Sequence, residues 1–396
     1  MSDRAVNDAT AASTLITAPA QNHDPLREFG EHAAAVDLVN VSKTFRGPTG
    51  VKTVVDGLSL KIEAGEFFSL LGPSGCGKTT TLRMIAGLER VDSGQIFLGG
   101  TDATDLPSHA RNVNTVFQNY ALFPHMNVFD NVAYGLRRQH VEKFELRRRV
   151  GEALNLVHMD NFVMHRPRQL SGGQQQRIAL ARSIVTRPSV LLLDEPLAAL
   201  DLKLRESMQD ELKRLQRELK LTFVFVTHDQ AEAFAMSDRV AVMEGGALVQ
   251  VGTPEELYLR PATRFVTTFV GRANFIPASL VEGATTSRPD DVASRQLSET
   301  LDDNAPANGE ASVFVRPERL QLRVGSASSG FEGPRVRGTI VDKTFSGALT
   351  IVRVRVRDHV ELTVTCDSAS PEARDAVVGG EAVVAWLPSD ATLLDR

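Results

Sequence analysis

Hydrophobic positions fall into two kinds of pattern along this chain: short unbroken apolar runs, and longer stretches where apolar residues recur every three or four positions. Glu66-Phe67-Phe68-Ser69-Leu70-Leu71 is of the first kind and predicts a buried strand, as do Val190 to Leu193 and Thr222 to Val226. Thr80-Thr81-Leu82-Arg83-Met84-Ile85-Ala86-Gly87-Leu88 reads instead as a helix. Between Asp201 and Lys220, Met208, Leu212, Leu215 and Leu219 recur at helical spacing with charges between them, which predicts an amphipathic helix packed on the core. From Val36 to about Gly245 such strands and helices alternate, the pattern of an α/β domain with a largely parallel, buried sheet. Between about Asn119 and Thr186 the pattern is more helical, a helical subdomain within that domain. Ser312 to Val315, Thr339 to Val341, Thr350 to Val356 and Val360 to Val364 are short alternating strands, with turns expected near Gly347 and Asp358. They predict a small all-β module.

These patterns divide the chain into residues 1–35, a disordered extension rich in Ala, Thr, Asp and Asn; 36–270, the α/β domain; and 271–396, the β module. Within the last, residues 283–310 carry six acids against two arginines and few large apolar groups, which predicts a flexible acidic insertion. A length of 396 residues agrees with two or three domains. A net charge of -5 provides no general attraction to nucleic acid or anionic lipid, so no nucleic-acid partner is expected. Arg147-Arg148-Arg149 is read as a solvated helix face. The two cysteines, Cys76 and Cys366, lie far apart in sequence, which favours a reducing compartment. No run approaches the ~18 apolar residues of a membrane span, so any membrane role is expected to come through a partner.

The chemistry begins at Gly72-Pro73-Ser74-Gly75-Cys76-Gly77-Lys78-Thr79, which fits G-x-x-x-x-G-K-S/T between a predicted strand and a predicted helix. Glycines let backbone N–H groups close round phosphates, the helix N-terminus adds a positive dipole end, and Lys78 supplies a point charge. Thr79 would offer its hydroxyl to Mg²⁺. Farther on, the apolar strand in Ser189-Val190-Leu191-Leu192-Leu193-Asp194-Glu195-Pro196 ends in two adjacent acids. Beside the phosphate loop, Asp194 would hold Mg²⁺ and Glu195 would polarise the attacking water. A carboxylate pair capping the next element is the alternative. Leu170-Ser171-Gly172-Gly173-Gln174 precedes the helical run Ile178 to Ile184, a second anion-binding helix start or an ordinary N-cap.

With these three motifs in this order, residues 36–280 resemble the ATP-binding subunits of ABC transporters, whose fold is a P-loop NTPase domain with a helical subdomain. The resemblance implies ATP and Mg²⁺ as cofactors. It implies that Gly72 to Thr80, including Thr80 itself, is the Walker A loop, that Leu170 to Gln174 is the signature loop, and that Leu191 to Glu195 is the Walker B strand and its acids. It further implies Gln118 as the Q-loop glutamine, contacting Mg²⁺ and reporting to the membrane partner, Asp201 as the D-loop acid, and His228 as the switch histidine facing the γ-phosphate. Phe45 looks like the aromatic on which adenine stacks, a position that more often holds Tyr or Trp; a core phenylalanine is the alternative. Ala198 stands where the family often has a polar residue, which puts one dimer-spanning hydrogen bond in doubt.

Because the family's signature loop acts on nucleotide held by the opposite subunit, the resemblance implies a homodimer, with Ser171 and Gly173 closing the partner's site. Two integral membrane permease subunits and an extracytoplasmic solute-binding protein are the other implied partners, and the cytoplasmic face of the inner membrane is the implied location. The strands around Val315-Arg316-Pro317-Glu318 resemble the accessory OB-like (TOBE) β-domain of bacterial importer ATPases, which favours import. Asn114 to Pro124 and Thr222 to Gln230 are similar to spermidine/putrescine import subunits. Iron(III), sulfate and phosphonate importers carry very similar stretches, so the cargo stays open at this point. A DNA-repair ATPase of the superfamily would need a long heptad insertion between Lys78 and Ser171, which the sequence lacks.

Overall fold

The computed structural model describes residues 34–47, 50–198, 200–282, 312–324, 333–357 and 360–394. The expected disordered extension, apart from its last two residues, all of the acidic insertion, and the turn residue Asp358 lie outside the described residues.

A six-stranded sheet carries the first domain. Its order is β10 (Ala247–Gly252), β9 (Arg239–Glu244), β3 (Phe67–Leu71), β8 (Thr222–Thr227), β7 (Val190–Asp194) and β6 (Val113–Val116). All neighbours pair in parallel except the edge strand β10. The unbroken apolar runs follow from burial on both faces. Phe67, Leu191, Leu193, Phe223 and Phe225 pack into one core, and Phe68, Leu70, Leu192, Val224 and Val226 into another on the opposite face. The helices α2 (Val128–Arg138), α3 (Lys143–Leu156), α4 (Gly172–Ile184) and α5 (Leu202–Leu219) contribute to the first of these cores. The second core is closed by α1 (Lys78–Ile85) and by an antiparallel sheet.

That second sheet is a feature the sequence patterns did not predict: β2 (Gly50–Glu63), β1 (Ala34–Gly47), β4 (Ser93–Leu98) and β5 (Thr101–Asp102), in that order. Bulges interrupt the pairing of β1 with β2, for example between Leu38 and Val41, so the inward face does not keep a strict two-residue period. Helix α5 runs where its stripe predicts, with Met208, Leu212 and Leu215 buried. The arginine run lies on α3 with Arg148 between Glu145 and Glu152, at 2.7 and 2.5 Å. These acids and bases pair with one another at the surface.

Helix α6 (Gln230–Met236) joins β8 to β9, and α7 (Pro254–Leu259) and α8 (Arg264–Phe269) follow β10. The C-terminal module has two antiparallel sheets: β13 (Gln321–Val324), β17 (Glu381–Ala385), β14 (Arg335–Ser346), β15 (Leu349–Arg355) and β16 (Glu361–Asp367); and β11 (Asn274–Pro277), β12 (Ser312–Val315) and β18 (Ala391–Leu394). They enclose one core that includes Trp386, Val352, Val364 and Ile276. Gly347, with φ +68°, makes the β14–β15 turn. Arg316 ties the module to what precedes it. Its buried guanidinium donates to the carbonyls of Tyr258, Thr267 and Arg272 and lies 4.1 Å from the Tyr258 ring.

Candidate active site

In a parallel sheet the carboxyl ends of all strands open on one edge, where ligands bind in such folds. Leu71 pairs with Thr227, Asp194 with Val226, and Val116 with Leu193, so the loops after β3, β6, β7 and β8 leave the sheet side by side. Most of the chemistry-bearing residues identified from sequence lie on that edge.

The loop from Gly72 to Gly77 joins β3 to α1. Gly75 and Gly77 take φ of +81° and +105°, the left-handed region that turns successive N–H groups toward one centre. A Cβ on Gly77 would lie 2.5 Å from the Val54 carbonyl oxygen, so strand β2 holds the loop closed from behind. Gly72 is equally confined, by the Met243 carbonyl and the Cys76 sulfur. Pro73 is half-buried, Ser74 is exposed, and Cys76 is buried, its thiol pushed up by desolvation. Lys78 is buried too. Its Nζ donates to the carbonyls of Gly72 at 2.7 Å and Pro73 at 2.9 Å, which folds the ammonium into the concave side of the loop.

Thr79, one residue into α1, donates from Oγ1 to Asp194 Oδ1 at 2.9 Å. Thr80 is half-buried beside it. Burial pushes the Asp194 carboxyl up, opposed by the Thr79 hydrogen bond and the charge of Arg83. Glu195 follows with φ +45°, a strained value for a residue with a side chain, and its N–H donates to the Val226 carbonyl at 3.0 Å. This turn points Glu195 across to the next strand, where its Oε2 is 3.4 Å from His228 Nδ1. Gln118 lies two residues beyond β6, exposed at the same edge.

Other expected site residues lie apart from this group. Ser171 caps α4: its Oγ accepts from Gln174 N–H, and Gln174 Oε1 accepts from Ser171 N–H at 2.9 Å. These bonds stay within the helix start, and α4 packs on α2, α3 and β6. Ser171 and Gly172 are exposed, whereas Gly173 is covered by Leu204 of α5. Asp201 is the N-cap of α5, its Oδ1 accepting from Leu204 N–H at 3.0 Å. Phe45, on β1, is 41% exposed, so it is not a core phenylalanine; Lys43 Nζ lies 5.3 Å from its ring centroid.

The structure adds residues that the sequence patterns left unmarked. A cavity of about 60 Å³ behind Glu195 and His228 is also lined by Arg205, Thr227, Asp229 and Glu232. The signal for Thr227, Asp229 and Glu232 was the cluster Thr227-His228-Asp229-Gln230-Ala231-Glu232, five polar or charged side chains at the end of a wholly buried strand.

Comparison with known proteins agrees with this arrangement. The family model for ABC transporters matches residues 55–198, and that for the TOBE domain matches residues 313–394. The spermidine/putrescine import ATP-binding protein of Thermobifida fusca is 46% identical over 383 residues, 97% of this chain and 99% of that protein. The protein of the same name from Acidothermus cellulolyticus is 51% identical over 324 residues, 81% of this chain and 83% of its own. Among solved structures, a dimeric post-hydrolysis state of an ATP-binding cassette bound to ADP and Pi shares 33% identity at a TM-score of 0.50, covering 55% of this chain and 98% of that one. Fold, motif order and relatives over nearly its whole length agree: the chain belongs to the ABC transporter ATP-binding proteins, in the group named for spermidine/putrescine import.

Proposed function

We propose that this chain is the ATP-hydrolysing subunit of a polyamine importer, working as a pair of identical chains against two membrane permeases supplied by an extracytoplasmic solute-binding protein. The observation that carries the catalytic part is the meeting, at one sheet edge, of Lys78 in its glycine loop, the Thr79–Asp194 hydrogen bond and the Glu195–His228 contact. Among the described residues no helix is long and apolar enough to cross a membrane, so the membrane path falls to the partners in this reading.

In this site the loop amides and Lys78 bind the β- and γ-phosphates of ATP. Phe45 offers an exposed ring face for adenine. The donor set at Thr79 and Asp194, a hydroxyl and a half-buried carboxylate joined at 2.9 Å, is the hard oxygen pair that suits Mg²⁺, with Gln118 as a further oxygen donor from the loop after β6. Bound there, Mg²⁺ would neutralise phosphate charge. Glu195 orients and polarises the attacking water, and His228 keeps that carboxylate aligned while facing the γ-phosphate. Ser171, Gly172, Gly173 and Gln174 act on nucleotide held by the second copy, with Asp201 at the junction. The exposure of Ser171 and Gly172, and the Ser171–Gln174 bonding within the helix start, support an action outside this chain's own site. ATP closes the pair of chains and hydrolysis reopens it, which moves the permeases.

The polyamine assignment rests on these relatives being spermidine/putrescine import ATP-binding proteins, together with alignments that cover 97% and 81% of the chain. Reconstitution of the full chain with its co-purifying membrane proteins and solute-binding protein tests it. Spermidine or putrescine should stimulate ATP hydrolysis; stimulation by iron(III), sulfate or phosphonate instead would overturn the cargo and leave the ATPase role standing.

A further inference from the structure

Arg205 stands one turn into α5 and donates from Nη2 to the carbonyl of Leu200 at 3.2 Å, the last residue before the α5 cap. Its other nitrogens face the start of α6, just after His228. Nη1 donates to Asp229 Oδ2 at 3.5 Å, and the buried Nε forms an ion pair with Glu232 Oε1 at 3.5 Å without making a hydrogen bond. A guanidinium is suited to such a place, because its planar fork can serve three acceptors at once where a lysine serves as a point charge.

The acceptors are themselves fixed. Glu232, only 4% exposed, accepts from Thr227 Oγ1 at 2.7 Å, and the same Oγ1 accepts from Asp229 N–H at 2.9 Å. Asp229 Oδ1 accepts from Ala231 N–H at 2.8 Å and caps α6. His228 therefore sits between two residues that are held on both sides, with its imidazole left 55% exposed and 3.4 Å from Glu195. Arg205 connects this frame to the segment that leaves Glu195 and ends at Asp201. Glu195, His228 and Arg205 line one cavity.

We infer that Arg205 is a positioning residue. It transmits the placement of Leu200 and the Asp201 cap to the backbone around His228, so that the imidazole stays over the Glu195 carboxylate only when those two residues are in place. This inference rests on the ATPase reading given above. A displacement on the order of 1 Å at a reacting group costs about 100-fold in rate, so a tether of this kind acts on turnover before it acts on affinity.

A double-mutant cycle between Arg205→Ala and His228→Ala, read as steady-state ATP hydrolysis by the full chain, tests it. Arg205→Ala should lower kcat by about 10- to 100-fold with the KM for ATP nearly unchanged. Arg205→Lys, which keeps charge and bulk, should fall between it and wild type. In the His228→Ala background Arg205→Ala should cost almost nothing further, because the group it positions is gone. Losses that multiply instead would overturn the inference while sparing the ATPase reading. An unchanged kcat in Arg205→Ala, or a loss seen only as a lower Tm with full kcat per folded chain, would overturn it as well. Wild-type turnover in His228→Ala would remove the ATPase reading of that residue and the inference with it.

Discussion

Glu195→Gln replaces one carboxylate oxygen by an amide and leaves the volume of a side chain that is 24% exposed. Packing is conserved, so the melting temperature should stay near that of wild type. What is lost is the charge that faces His228 Nδ1 at 3.4 Å and that is proposed to polarise water. A general base contributes about 10²–10⁴-fold, equivalent to about 2.7–5.4 kcal/mol in the barrier, and that is the expected fall in kcat. ATP affinity should be retained, because Lys78 and the loop amides are unchanged. The backbone sharpens the test. Glu195 has φ +45°, which costs a residue with a side chain about 1–2 kcal/mol, more than the ~0.5–1 kcal/mol that glycine adds through its greater freedom when unfolded. Glu195→Gly should therefore be as inactive as Glu195→Gln and at least as stable as wild type. Phosphate release, direct ATP titration and thermal denaturation of the three full-length proteins supply the measurements. Steady hydrolysis by Glu195→Gln near the wild-type rate would refute the assignment of the base.

Gly77→Ala puts a Cβ 2.5 Å from the Val54 carbonyl oxygen at φ +105°, so it should abolish nucleotide binding in direct titration; retained affinity would show that the loop can reshape. Arg316→Ala removes a buried guanidinium from the carbonyls of Tyr258, Thr267 and Arg272 and should lower stability to denaturant by about 2–4 kcal/mol, with an equal midpoint counting against it. Tyr258 donates to Glu318 at 2.6 Å, and burial, followed by the Glu318 hydrogen bond and charge, pushes its phenol up to about 12. Its folded value lies above its unfolded one near 10, so the stability it adds is fully present below about pH 10 and is lost as the pH rises toward 12. In pH-dependent denaturation, Tyr258→Phe should differ most from wild type below pH ~10 and converge on it above; a constant difference would contradict the linkage.

The strands that carry the site were legible because both of their faces are buried. Val190 to Leu193 and Thr222 to Val226 have no reason to alternate, and in the first of them the half-buried acids Asp194 and Glu195 announce the end of the strand. The antiparallel sheet was not legible, since bulges at Val41 and Lys43 break the two-residue period of β1. In the C-terminal module, β13 and β17 span four and five residues and make sense only through their mutual pairing and the core around Trp386. Of the site, Lys78, Thr79, Asp194 and Glu195 were readable because local spacing alone puts them on a strand end or a helix start. Asp201 reads in the structure as the cap of α5, a local role that its position before a helix also encodes. Arg205 was invisible because its partners Asp229 and Glu232 lie on another element, and only the sheet brings them together.

The central claim is that the ATP site is completed by a second copy of the chain, and retention of ATP tests it most directly. Glu195→Gln, loaded with Mg-ATP and rapidly desalted, should keep ATP in an amount equal to the chain and run as a two-chain particle. Adding Ser171→Arg, at the exposed start of α4, should release nearly all of that ATP while leaving the fold intact. Equal retention with and without Ser171→Arg, or retention by a single chain, would contradict the composite site.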